Sequence, residues 1–302
     1  MTPSPDPEPP VLTEPIQLIP ISNAWDAVKS SALAGAHRSG RKSAVKTDFK
    51  TTPEAELTLN SVPFLKGDLP RRTWCHLYWL LPDGKVPLFF DKCLKASHAL
   101  MIDPVLETVD RDAKLIDELR LKLGPILNTH VHADHVTGSG LLKRRFPGSF
   151  SVLGQYDGVL ADMTVKNGDK IPFGKFELEC RSTPGHTVGC TTYVLHEAGL
   201  VFTGDTLLIR GCGRTDFQGG SSEVLFDSIH KQIFTLPDEF MVFPGHNYVG
   251  MAMSTVGEEK QYNPRLTRSK EEFMKIMSEL KLGPPKQLER SLRMNVRCGV
   301  DD

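Results

Sequence analysis

The chain of 302 residues predicts an α/β layered domain in which helices cover sheets. Three observations carry that prediction. Amphipathic helical patterns alternate with short apolar, strand-like segments, and glycine or proline punctuates the joins. The hydrophobic content, 39%, is ample for a core. The formal net charge of -1 gives no basic face for nucleic acid or an anionic membrane. No apolar run approaches the roughly 18 residues that a membrane-spanning helix needs. Neither nucleic acid nor a membrane is therefore expected as a partner.

The opening "MTPSPDPEPPVLTEP" is rich in proline and acid, and residues 1–60 read as a disordered extension. Within it, "SSALAGAHRSGRKSAVK" is basic and rich in Ser and Ala, like a targeting presequence. It begins too late for one unless Met1 is a mis-called start, so a mobile linker is the expectation. The catalytic domain is placed at 61–302, with a helical C-terminal segment. "RDAKLIDELRLKLG" carries Ala113, Ile116, Leu119 and Leu123 at helical spacing, with Gly124 as a stop. "PILNTH" reads as a strand, and "DHVTGSGLLKRRFPG" as a helix ending before Pro147. The segments "FSVLG", "KFELECRS", "TTYVLHE" and "LVFTGD" read as strands. "SSEVLFDSIHKQIFTLP" is a capped amphipathic helix, "FMVFPGH" a strand and "KEEFMKIMSELKLGPP" a late helix. Six cysteines (Cys75, Cys93, Cys180, Cys190, Cys212, Cys298) form no CxxC pair, which suits reduced thiols of an intracellular protein.

The chemistry concentrates at strand ends. "PILNTH" ends in His130, "CRSTPGH" in His186, "LVFTGD" in Asp205 and "FMVFPGH" in His246. Glycine precedes three of these, at Gly185, Gly204 and Gly245, where a crowded turn would face a metal. Ligands leaving adjacent strand ends would converge on one rim of a sheet. In "HVHADH", His130 and His132 would share a face of a true strand. Asp134 and His135 follow at the expected helix start, where Asp134 is either a ligand or an N-cap. Together the four segments predict a metal site. Spacing alone allows two metals: His130, His132 and His186 on one ion, Asp134, His135 and His246 on the other, with Asp205 between them.

The segments "THVHADH", "TPGHT", "FTGDTL" and "FPGHNY", in this order, resemble the metallo-β-lactamase superfamily, whose fold is a four-layer αββα sandwich. "IDPVLET", "NTHVHADHVTGSGLL", "LLIRGCGRTDFQ", "IFTLP", "NPRLT" and "MNVRCGV" are similar to the persulfide dioxygenases of mitochondrial sulfide oxidation, on the glyoxalase II-like branch. That resemblance implies one Fe(II) per chain, held by His130, His186 and Asp205, with His132, Asp134, His135 and His246 orienting those ligands. It implies oxidation of glutathione persulfide by O2 to sulfite and glutathione, in the mitochondrial matrix, by a chain that can form a homodimer. The alternative reading is a dinuclear, glyoxalase II-type thioester hydrolase, with a cytoplasmic location as the second choice. Arg214 and Tyr248 are the expected substrate contacts, because the two glutathione carboxylates call for a cation. Cys212 reads as a small buried thiol. The chain departs from the family at Asn247, where an acid usually follows the histidine, and at residues 71–104, which carry an insertion.

Overall fold

Alternation along the strands decides the architecture. In the computed structural model the described residues are 98–300, except 175, 281 and 284–286, together with the backbone of two strands at Cys75–Trp79 and Pro87–Asp91. The expected N-terminal extension, the domain start near residue 60 and half of the 71–104 insertion lie outside them. Strands β1 (Cys75–Trp79), β2 (Pro87–Asp91), β3 (His98–Ile102), β4 (Lys122–Leu127), β5 (Phe150–Gly154) and β6 (Met163–Val165) form one sheet in that order. Strands β7 (Lys170–Phe173), β8 (Phe176–Ser182), β9 (Thr191–Leu195), β10 (Leu200–Gly204), β11 (Met241–Pro244) and β12 (Ser254–Thr255) form the second, also in chain order. Pairing is parallel from β3 to β6 and between β10 and β11, and antiparallel elsewhere.

Successive side chains point to opposite faces of a strand, so each strand serves two layers. Leu100 and Ile102 face inward with Leu127 and Val152, against Leu178, Tyr193, Phe202 and Phe243 of the other sheet. Ala99 and Met101 point the other way, with Leu123 and Ile126. There they meet Val109, Ala113 and Ile116 of α1 (Val109–Glu118) and Leu142 of α2 (Ser139–Arg145). On the far side Val194, Val201 and Val242 pack against α3 (Ser222–Ser228), α4 (Val256–Tyr262) and α5 (Lys270–Glu279), through Leu225, Val256, Phe273 and Met277. The result is the αββα sandwich.

Two boundaries differ from the sequence reading. The first helix stops at Glu118, and Leu123 and Gly124 belong to β4. Arg120 takes a left-handed φ of 53° while Arg120 N donates to Asp117 O and Leu121 N to Ile116 O. That paired closure ends the helix without a glycine. The second helix starts at Ser139, five residues after Asp134, and its N-cap is Gly138. Asp134 is therefore not a cap: Leu106 N donates to Val136 O and Gly138 N to Pro104 O, tying residues 136–138 to the loop after β3. Sequence patterns did not identify β1, β2, β3, β6, β7, β12, α4 or α6 (Leu288–Asn295), most of which are short or strongly polar.

Candidate metal centre

Residues His130, His186, Asp205 and His246 each leave the C-terminal end of a strand: β4, β8, β10 and β11. Strand β4 lies in one sheet and the other three in the second, so the site sits where the two sheets meet rather than along one rim. Thr191 N of β9 donates to Thr129 O, and the Tyr193 hydroxyl donates to Asn128 O, joining the sheets beneath it. Gly204 has φ 51°, and a Cβ there would lie 2.2 Å from Thr129 Oγ1. Both facts demand glycine at the turn that delivers Asp205.

One ligand atom each from His130, His186 and Asp205 lies within 4.8 Å of the others, and all three residues are buried. Hydrogen bonds settle which atoms face inward. Thr129 Oγ1 donates to Asp103 Oδ2 (2.8 Å), so it accepts from His130 Nδ1 at 3.0 Å. His186 Nδ1 donates to the main-chain carbonyl of Arg214 at 2.7 Å. Both rings thus keep an Nε2 lone pair, and His186 Nε2 lies 3.8 Å from Asp205 Oδ2. Burial, with the His132 and His186 rings nearby, pushes His130 well below the usual imidazole range and holds it in the neutral, ligating form. Burial alone would raise the Asp205 pKa. His246, His130 and His186 overcome it and hold the carboxyl well below its ordinary range. Two imidazoles and one carboxylate, each oriented by an outer partner, fit a divalent cation.

The remaining residues form a second group beside the first. His132, Asp134 and His135 offer ligand atoms within 4.8 Å of one another. His132 Nε2 donates to Asp103 Oδ1 at 3.0 Å, leaving its Nδ1 buried with no hydrogen-bond partner. An orphaned lone pair of this kind also suits a cation. His246 spans the groups, with Nδ1 2.6 Å from Asp205 Oδ1 and Nε2 3.2 Å from Asp134 Oδ2.

Asp103 was not singled out from the sequence, although the same strand-end pattern marks it in "ALMID", after β3. It accepts from Thr129 N (2.7 Å) and Thr129 Oγ1 as well as from His132. Burial opposes its charge, yet His132, His130 and Thr129 lower its pKa from 3.8 to about 2.

The expected substrate contacts divide. Tyr248 is 77% exposed, with its ring stacked on His246 at 5.6 Å. Asn247 Oδ1 accepts from Val249 N and Gly250 N, so it shapes the turn that carries Tyr248. Arg214 is anchored within the protein. Its guanidinium makes paired bonds to Asp216 (2.6 Å each), donates to Gly283 O (2.7 Å) and Leu282 O (3.2 Å), and lies over the Phe217 ring. Those contacts fasten its loop, while its carbonyl orients His186. Cys212 is the buried thiol expected, pushed up to about 11 by burial.

A family model described as the metallo-beta-lactamase superfamily matches residues 95–149 and 162–246. The chain is 53% identical over 206 residues to a human protein named "Persulfide dioxygenase ETHE1, mitochondrial", covering 68% of this chain and 81% of the relative. A crystal structure of ETHE1 from Myxococcus xanthus matches with a TM-score of 0.69 and 40% identity, over 75% of this chain and 100% of that one. A hydroxyacylglutathione hydrolase of Brucella ovis is 42% identical over 129 residues, but these span only 41% of this chain and 48% of the hydrolase.

Proposed function

Because the chain belongs to the metallo-beta-lactamase superfamily and, within it, to the persulfide dioxygenases, we propose that it oxidises glutathione persulfide with O2, at one iron(II) per chain held by His130, His186 and Asp205. The balanced reaction takes persulfide, O2 and water to glutathione and sulfite. A redox-active ion with open coordination positions supplies the spin and electron chemistry that triplet O2 and closed-shell sulfur lack, and that zinc does not provide.

The chain's own contribution is orientation and charge. Asp205 compensates the cation with the one carboxylate of the three, and His246 holds its second oxygen aside. Thr129 and the Arg214 carbonyl fix the two imidazoles with Nε2 inward. Tyr248, exposed beside His246, is the proposed substrate contact. The observation that carries the single-ion reading is the commitment of His246 to Asp205 and Asp134 through its two ring nitrogens. A second reading, a dinuclear thioester hydrolase, is favoured by the neighbouring His132, Asp134 and His135 group. The relatives' names suggest the mitochondrion; we place the proposed enzyme of sulfide catabolism in its matrix, with a homodimer as the proposed assembly.

The test combines metal analysis of freshly purified protein with an oxygen electrode and a thioester-hydrolysis assay. One iron per chain, with O2 uptake on glutathione persulfide and little hydrolysis of S-lactoylglutathione, is expected. Two metals per chain with the reverse activities would sink the proposal.

A further inference from the structure

The loop bearing the first histidines is fastened from a place far away in the chain. Asn295, the last residue of α6, is 2% exposed and spends its whole amide on that loop. Its Nδ2 donates to His132 O at 2.8 Å and to His135 O at 2.7 Å, while its Oδ1 accepts from Thr137 N at 2.9 Å. One side chain thereby holds two carbonyls three residues apart and the next free amide, the work that a backbone ladder does in a helix or strand. No regular element runs through residues 128–138 to do it otherwise. The chain beyond α6 lies equally close: Gly140 N donates to Cys298 O at 2.9 Å, and a Cβ on Gly299 would sit 2.0 Å from Thr137 O.

We propose that Asn295 is a positioning residue for the metal loop: it fixes the main chain on the far side of His130, as Asp103 fixes it on the near side. Thr129 N is tied to Asp103 and His132 O to Asn295, with His130 between the two anchors. The His132 ring is held by Asp103 and its carbonyl by Asn295, so neither can turn without breaking a buried bond. "MNVRCGV" thus has its place: it closes the metal centre from the C-terminal end. This rests on the reading of His130, His186 and Asp205 as metal ligands.

The test uses the full chain, freed of metal, and Co(II) as the probe, followed through its visible absorption bands and by competition with a chelator. Asn295→Ala is expected to weaken Co(II) binding about tenfold, the low end for losing a partner of a metal ligand because Asn295 acts through the main chain of the loop, and to alter the bands. Asn295→Leu, which restores the volume but no hydrogen bond, should do the same. Met294→Ala loosens the packing of α6 without touching those bonds; it should lower the melting temperature and leave both the affinity and the bands unchanged. Wild-type affinity and spectrum in a folded Asn295 variant would overturn the positioning role. Failure of both Asn295 variants to fold would overturn it too, assigning the contact to folding. A wild-type chain that binds no Co(II) would instead overturn the metal reading beneath it.

Discussion

Asp103→Asn is the sharpest probe of how the site is held, because it changes one atom and a charge. The wild-type carboxylate receives three hydrogen bonds, from Thr129 N, Thr129 Oγ1 and His132 Nε2. The asparagine oxygen can still accept from Thr129 N and His132 Nε2, but its NH2 then confronts the Thr129 hydroxyl, which must turn its proton elsewhere. The size of the penalty follows from the carboxyl itself. A pKa lowered from 3.8 to about 2 means that the folded site prefers the charged form over the neutral one by about 2 kcal/mol. The neutral amide should forfeit about that much at pH 7, measured by urea unfolding of the metal-free proteins. The sign with pH is fixed. A carboxyl whose folded pKa is depressed stabilises above its unfolded value, and the gain vanishes as pH falls through the folded one. The gap between wild type and variant should therefore narrow between pH 3.8 and about 2. A gap below about 0.5 kcal/mol at pH 7, within the scatter of ordinary surface substitutions, would refute the account. So would a gap that ignores pH in that window.

Asp205→Asn should cost more metal affinity than His132→Ala, because it removes the one anionic ligand while His132 serves from outside; metal content after matched dialysis decides, and equal losses would place His132 among the ligands. Arg214→Ala should weaken metal binding about tenfold by freeing the loop whose carbonyl orients His186, and it should slow glutathione persulfide and a persulfide lacking carboxylates alike. A rise in KM confined to glutathione persulfide, with normal metal content, would restore Arg214 as a substrate clamp.

Much of this was legible because burial writes itself into short periods. The apolar runs "PILNTH", "TTYVLHE" and "LVFTGD" announce buried strands, and these are β4, β9 and β10. His130, His186, Asp205 and His246 stood out because each ends such a run. The misreadings share a cause: local patterns cannot report long-range partners. Leu123 continued a helical spacing that Arg120 had already ended, through a left-handed closure to which the arginine side chain gives no clue. Asp134 looked like a cap, but the chain around it is held by Pro104 and Asn295. The anchoring of Arg214 was equally hidden, because Leu282 and Gly283, which its guanidinium meets, come 68 and 69 residues later.

The reach from His132 to Asn295, 163 residues, also sets an order of events during synthesis. At about 5 to 20 residues per second, the histidine loop leaves the ribosome roughly 10 to 30 seconds before the asparagine that fastens it. In that interval the loop has its histidines but not its anchor. An ion captured then is held by a flexible chain, where affinity follows the metal's own ranking rather than the site's geometry. Correct metallation would accordingly wait for α6, and a chain stalled short of it would be the one most exposed to the wrong metal.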